Sequence, residues 1–80
     1  MAQLTLYSRE GCHLCEVAET ALSRVRARVE FELQIVDVDT EERLQKLYGM
    51  EVPVLLVDGE KFSIYEVDEA ALAARLGSDA

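Results

Sequence analysis

Cys12 and Cys15 are the two cysteines of this 80-residue chain, and they stand three positions apart in Gly11-Cys12-His13-Leu14-Cys15. Thiols at i and i+3 on the first turn of a helix are surface neighbours, with Cβ atoms roughly 5–6 Å apart. A disulfide needs about 3.5–4.5 Å, so a small adjustment of one turn opens or closes the bond. A helix start also presents unpaired N–H groups and the positive end of the macrodipole, and both favour a thiolate at Cys12. The chemistry expected is thiol–disulfide exchange, in which Cys12 attacks a substrate disulfide and Cys15 resolves the mixed disulfide. Cys15 would also rescue a sulfenic acid or an adduct formed on Cys12. The plainer alternative is a pair of inert core thiols, but packing alone does not select first-turn placement after a glycine.

The flanking residues bear on that chemistry. His13 would steady a thiolate if protonated, yet the positive helix end disfavours its charged form, so an exposed side chain is the simpler reading. Glu10 and Glu16 flank the thiol and oppose the helix. Arg9, in the loop before the pair, is either a substrate contact or a solvated charge. Zinc is a second chemistry to weigh. Structural zinc wants four ligands, Cys12, His13 and Cys15 offer three at most, and His13 points off the cysteine face, so two subunits would have to share the ion. No metal site is expected. The order Cys-His-x-Cys is not that of haem attachment.

The elements that position the pair follow from patterning. Leu4 to Tyr7 is a short β-favouring apolar run ending at Ser8-Arg9-Glu10-Gly11, which reads as a buried strand. From Cys12 onward Leu14, Val17, Ala18, Ala21, Leu22 and Val25 recur at steps of three and four, predicting a helix to about Arg28. Glu16 and Glu19 lie in its early turns and Arg24, Arg26 and Arg28 at its end, as the dipole prefers, and the arginines read as a solvated terminus. Phe31 to Val38 reads as a second strand, covered on both faces because its apolar phase is mixed. Two strands joined by a helix predict a right-handed parallel βαβ unit. Asp39 resembles an N-cap with Glu42 as its capping-box partner, Leu44, Leu47 and Tyr48 stripe a short helix, and Gly49 suits its C′ position.

Val54 to Val57 is a third strand, and Pro53 at its start removes no ladder bond. Asp58-Gly59 signals a type I′ hairpin returning through Lys61 to Tyr65. Val67 to Leu76 is an alanine-rich helix ended by Gly77, with Ala70, Ala71 and Ala74 suggesting close packing on the sheet. The order β-α-β-α-β-β-α predicts an α/β fold, a four-stranded mixed sheet flanked by helices, in one domain over residues 1–80.

Composition bounds the function. Half the residues are hydrophobic, so a packed core is expected. Net charge is −8, from 16 acids and 8 bases, which argues against nucleic acid as a partner. No apolar run approaches the roughly 20 residues that span a membrane. The start, Met1-Ala2-Gln3-Leu4-Thr5-Leu6, shows no basic secretory signal, so a cytoplasmic monomer is the expectation. There a lone Cys-x-x-Cys is more often catalytic or metal-binding than structural.

The element order, Tyr7-Ser8-Arg9 leading to Cys12-x-x-Cys15, and Val52-Pro53 before the third strand together resemble a glutaredoxin, within the thioredoxin-like fold. The resemblance runs from Leu4 to about Leu76. It implies that Cys12 is the exposed nucleophile and Cys15 the resolving thiol. It further implies that the Val52 backbone pairs with the bound thiol substrate, with His13 and Leu14 beside the site, and that Pro53 is cis. Arg9 falls where glutaredoxins often carry a base for a glutathione carboxylate, and Asp68 matches an acidic position of the ligand site. Departures are His13 for Pro, Leu14 for Tyr, Glu51 for Thr, and Tyr65-Glu66 for a Gly-Gly pair. Two glycines would admit a ligand backbone that Tyr and Glu exclude, and Glu51 and Glu66 would repel anionic glutathione. No tightly bound cofactor is implied. The substrates implied are protein disulfides or glutathionylated proteins, with glutathione as co-substrate. The alternative is a non-catalytic binding module whose acidic surface suits basic partners.

Overall fold

A computed structural model describes residues 2–77, and the elements follow the expected order. They are β1 (Ala2–Ser8), α1 (His13–Arg26), β2 (Phe31–Asp37), α2 (Glu42–Tyr48), β3 (Val54–Val57), β4 (Glu60–Ile64) and α3 (Glu69–Gly77), with one 3-10 turn at Val38–Thr40 between β2 and α2. Met1 and residues 78–80, parts of the expected 1–80 domain, lie outside the described residues.

The sheet order is β2-β1-β3-β4. β1 and β2 are parallel, from Ala2 opposite Phe31 to Ser8 opposite Asp37. β3 runs antiparallel to β1, with Leu4 opposite Val57 and Tyr7 opposite Val54. The β3–β4 turn has φ of 51° at Asp58 and 87° at Gly59, the two positive angles that a type I′ turn requires. Asp58 also locks that turn to β1. Its carboxylate accepts the Gln3 N–H at 2.9 Å, and its own N–H donates to the Gln3 carbonyl at 2.8 Å.

Alternation along β1 divides the core. Leu4 and Leu6 face α1 and α3 in a cluster with Ala18, Leu22, Val25, Phe31, Leu55, Val57, Leu72 and Leu76. Each large side chain fully buried there contributes roughly 1.5–3 kcal/mol. Tyr7 is out of phase with them and faces the other side of the sheet, where it stacks on Tyr48 of α2 at 4.5 Å between centroids. Such a pair adds about 0.5–1.5 kcal/mol beyond area. Thus α1 and α3 cover one face and α2 the other, over the end of β1 that leads to the cysteines.

Several local expectations are corrected. Asp39 does not cap α2: it lies in the 3-10 turn, whose cap is Asp37, with the Asp37 Oδ1 accepting the Asp39 N–H at 2.8 Å. α2 starts instead after Glu41, without a side-chain cap. β2, an edge strand, is not covered on both faces, since Glu32, Gln34 and Ile35 along it are exposed; Val36 still pairs with Tyr7 within the strand, and Val38 is buried from the 3-10 turn that follows. Gly49 closes α2 with right-handed dihedrals, φ −55°. A side chain there would strike the Gln45 carbonyl and crowd the Arg9 guanidinium, so close approach, not a left-handed turn, requires glycine. Ala70, Ala71 and Ala74 are exposed, and Leu72 and Leu76 pack instead. α1 stops at Arg26, because Ala27, Arg28 and Val29 turn back onto Ser23 and Val25 carbonyls. Arg24 is not simply solvated. It grips Glu69 at the start of α3, Nη2 to Oε2 2.7 Å, while Arg26 lies over the Phe31 ring.

Candidate dithiol site

The end of β1 places the cysteines. Ser8 pairs with Asp37 on one side, and Tyr7 pairs with Val54 on the other, so Pro53 leaves the sheet beside Ser8. The chain then turns at Gly11, whose φ of +76° is strained for any side chain. The Cys12 N–H closes this turn on the Arg9 carbonyl at 3.3 Å, and the Cys12 carbonyl accepts the first bond of α1, from the Glu16 N–H at 3.2 Å.

Cys12 is the N-cap of α1, with its sulfur in the place of a capping oxygen. Its Sγ accepts the Cys15 N–H at 3.2 Å. A helix-terminal N–H that would otherwise lack a partner therefore points at the first sulfur. The two thiols are not disulfide-bonded; Cys12 is half-buried, and Cys15 is 2% exposed. Burial is the main cause pushing the Cys15 thiol up to about 11, reinforced by its hydrogen bond and charge interaction with Cys12 and by Glu19, against the Arg9 backbone. One sulfur is open to attack or to attack others, and the second is held protonated behind it.

Both cysteines line a groove of about 390 Å³, together with Ser8, Arg9, Glu10, Gly11, Glu16, Glu19, Ile35 and Asp37. A second depression, about 440 Å³, lies over β1 and β2 around Arg26 and Glu32 and carries no thiol. The residues expected from the sequence are only partly gathered. Arg9 lines the groove, but its guanidinium is turned to the Asp39 carboxylate, Nε to Oδ2 3.1 Å, and to the Gly49 carbonyl at 3.3 Å. His13 and Leu14 are exposed on the first turn of α1. Val52 and Pro53 sit at the same sheet end, joined by a cis peptide bond, and the Pro53 carbonyl accepts the Tyr65 N–H at 2.9 Å. Asp68 does not line the groove; it caps α3, with its Oδ1 accepting the Ala71 N–H at 3.0 Å.

Glu19, Asp37 and Ile35 were not singled out by sequence reasoning. Glu19 carried a signal, since it is four residues after Cys15 and shares its helix face. Asp37 and Ile35 carried none, because their place depends on the β1–β2 register. Near Pro53, Glu51 pairs with Lys61 at 3.1 Å, and Tyr65, at a left-handed φ of 68°, donates its hydroxyl to the Met50 carbonyl at 3.3 Å. Among the described residues no group of three or more His, Cys, Asp or Glu side chains is placed to hold a metal ion, and no helix is long and apolar enough to cross a membrane.

Comparison with known proteins matches residues 3–77 to the Glutaredoxin-like domain (DUF836). An uncharacterized protein of Mycobacterium tuberculosis is 32% identical over 77 residues, covering 90% of this chain and 79% of that one. The solution structure of a Nitrosomonas europaea protein superposes with a TM-score of 0.82 at 35% identity, covering 94% of this chain and 91% of that one. A thioredoxin mutant from Halobacterium salinarum superposes with a TM-score of 0.69 at 26% identity, covering 96% and 73%. The sheet and helices described above are therefore a thioredoxin-like fold.

Proposed function

The chain belongs to the glutaredoxin-like domain family, and from that membership we propose that it is a thiol–disulfide oxidoreductase working through Cys12 and Cys15. The observation that carries this reading is the Cys15 N–H directed at the Cys12 sulfur, with both cysteines lining one groove.

In the first step the Cys12 thiolate attacks one sulfur of the substrate disulfide. A Cys12–substrate disulfide forms, and the other substrate sulfur leaves as a thiolate. In the second step Cys15 attacks Cys12 Sγ, the mixed disulfide breaks, and the second substrate sulfur leaves. The Cys15 proton ends on a released thiolate. Two electrons pass from the dithiol to the substrate, and the protein is left with a Cys12–Cys15 disulfide. Holding Cys15 protonated until attack keeps it from competing as a nucleophile in the first step. Val52 and Pro53 present backbone to the bound substrate at this sheet end, and His13 and Leu14, exposed on the first turn of α1, are the further substrate contacts. Arg9 shapes the loop through Asp39, and Asp68 supports α3.

The Cys15→Ser variant tests the reading, because it stops the reaction after the first step. Offered a disulfide-containing protein or glutathione disulfide, it should accumulate a mixed disulfide at Cys12. Failure to form any adduct overturns the reading. Partner capture that persists after both thiols are replaced marks a binding module instead.

A further inference from the structure

We propose that the disulfide reduced at this site is carried on a cationic polypeptide segment, with basic side chains flanking the reacting cysteine. The inference rests on the dithiol reading and names its substrate class. Of the residues lining the thiol groove, Glu10, Glu16, Glu19 and Asp37 are carboxylates, and Arg9 is the one cation. Arg9 is held on Asp39, and Lys61 is held on Glu51 beside Val52. Among the described residues no ion pair involves Glu10, Glu16 or Glu19. The cations placed to neutralise an incoming carboxylate are thus already engaged, while Glu10, Glu16 and Glu19 are open to an incoming cation.

The rest of the molecule adds to this field. A net charge of −8 attracts cationic partners over a Debye length and repels anions such as glutathione. An apolar residue among the groove acids indicates a polypeptide rather than a small cationic disulfide. Ile35 lines the groove and is 47% exposed. An extended segment covers such a side chain while its basic groups reach Glu16 and Glu19 (one helical turn apart on α1), and a small molecule does not.

The test compares three peptides of equal length, each with one cysteine joined to thionitrobenzoate. The cysteine is flanked by lysines, serines or glutamates. Attack by reduced protein releases the coloured thiolate and puts the peptide on Cys12, after which Cys15 displaces the peptide thiol. Because the leaving group is common to all three, rate ratios report the flanking charge. At low ionic strength the lysine peptide should react at least tenfold faster than the glutamate peptide, with the serine peptide between them. The ratio should fall several-fold in about 1 M salt, where the Debye length is about 3 Å. It should also fall in the Glu16→Gln/Glu19→Gln variant at unchanged salt.

Equal rates for the three peptides overturn the cationic-substrate proposal while leaving the dithiol reading intact. So does a ratio that neither salt nor the double variant changes. If none of the three peptides releases the coloured thiolate, the dithiol reading falls, and this proposal with it.

Discussion

The Arg9 guanidinium lies against the Asp39 carboxylate at 3.1 Å and reaches the Gly49 carbonyl at 3.3 Å. One side chain thereby ties the loop before Cys12 to the 3-10 turn and to the end of α2. The fork donates through Nε and Nη2 to Asp39 and through Nη1 to Gly49, a geometry that an ammonium group cannot reproduce. Both partners are partly exposed, so the contribution is modest. Arg9→Ala should lower unfolding free energy in urea by about 1 kcal/mol. Arg9→Lys should recover less than half of it. Full recovery by lysine would show that charge alone matters and that the fork does not.

Cys15 makes stability depend on alkaline pH. Its thiol is pushed up to about 11 from 9.0, so between these values the folded chain holds a proton that the unfolded chain has lost. Stability from this group is fully present below pH 9 and declines as pH rises toward 11. Unfolding of the reduced protein, followed from pH 8 to 11, should show a steeper decline than the same series in Cys15→Ala. Parallel curves would mean that Cys15 is not desolvated as described.

The acid side involves α1 and α3. The Arg24 guanidinium holds the Glu69 carboxyl below the usual range, so stability from this pair is present above the unfolded Glu69 value and lost as pH falls through the folded one. Arg24→Gln should therefore reduce stability at neutral pH and make the decline toward acid shallower. Because the pair is exposed at the surface, added salt should shrink the difference between the two proteins.

Core and surface positions of α1 should separate clearly. Leu22 is fully buried, whereas Val17 is 46% exposed on the same helix. Leu22→Ala should cost about 2–5 kcal/mol through lost burial and a residual cavity. Val17→Ala should stay within about 0.5 kcal/mol. Chemical denaturation of the reduced proteins gives both values.

Element order was legible in the sequence because the signals were local: a period-two run before the cysteines, a three-and-four period after them, and Asp58-Gly59 between apolar runs. The mistaken details depended on distant contacts. Asp39 has the capping-box spacing to Glu42, but Asp37 captures its N–H and Arg9 its carboxylate. The alanines of α3 suggested close packing, yet the register of that helix puts Leu72 and Leu76 inward. In the site, the thiol spacing and Val52-Pro53 were readable. The acidic lining was readable only in part, since Asp37 reaches the groove through its pairing with Ser8. The engagement of Arg9 was not readable, because Asp39 is 30 residues away.

In the proposed reaction Cys12 and Cys15 exchange electrons by forming and breaking one bond between them. Equilibrating the protein against mixtures of reduced and oxidised dithiothreitol, then alkylating and mass-analysing peptides, tests this directly. The expected result is one reversible two-electron transition, an intramolecular Cys12–Cys15 disulfide, and Cys12 as the thiol alkylated first in the reduced protein. Oxidation that yields only cross-linked dimers or separately modified thiols, with no peptide joining positions 12 and 15, would contradict it.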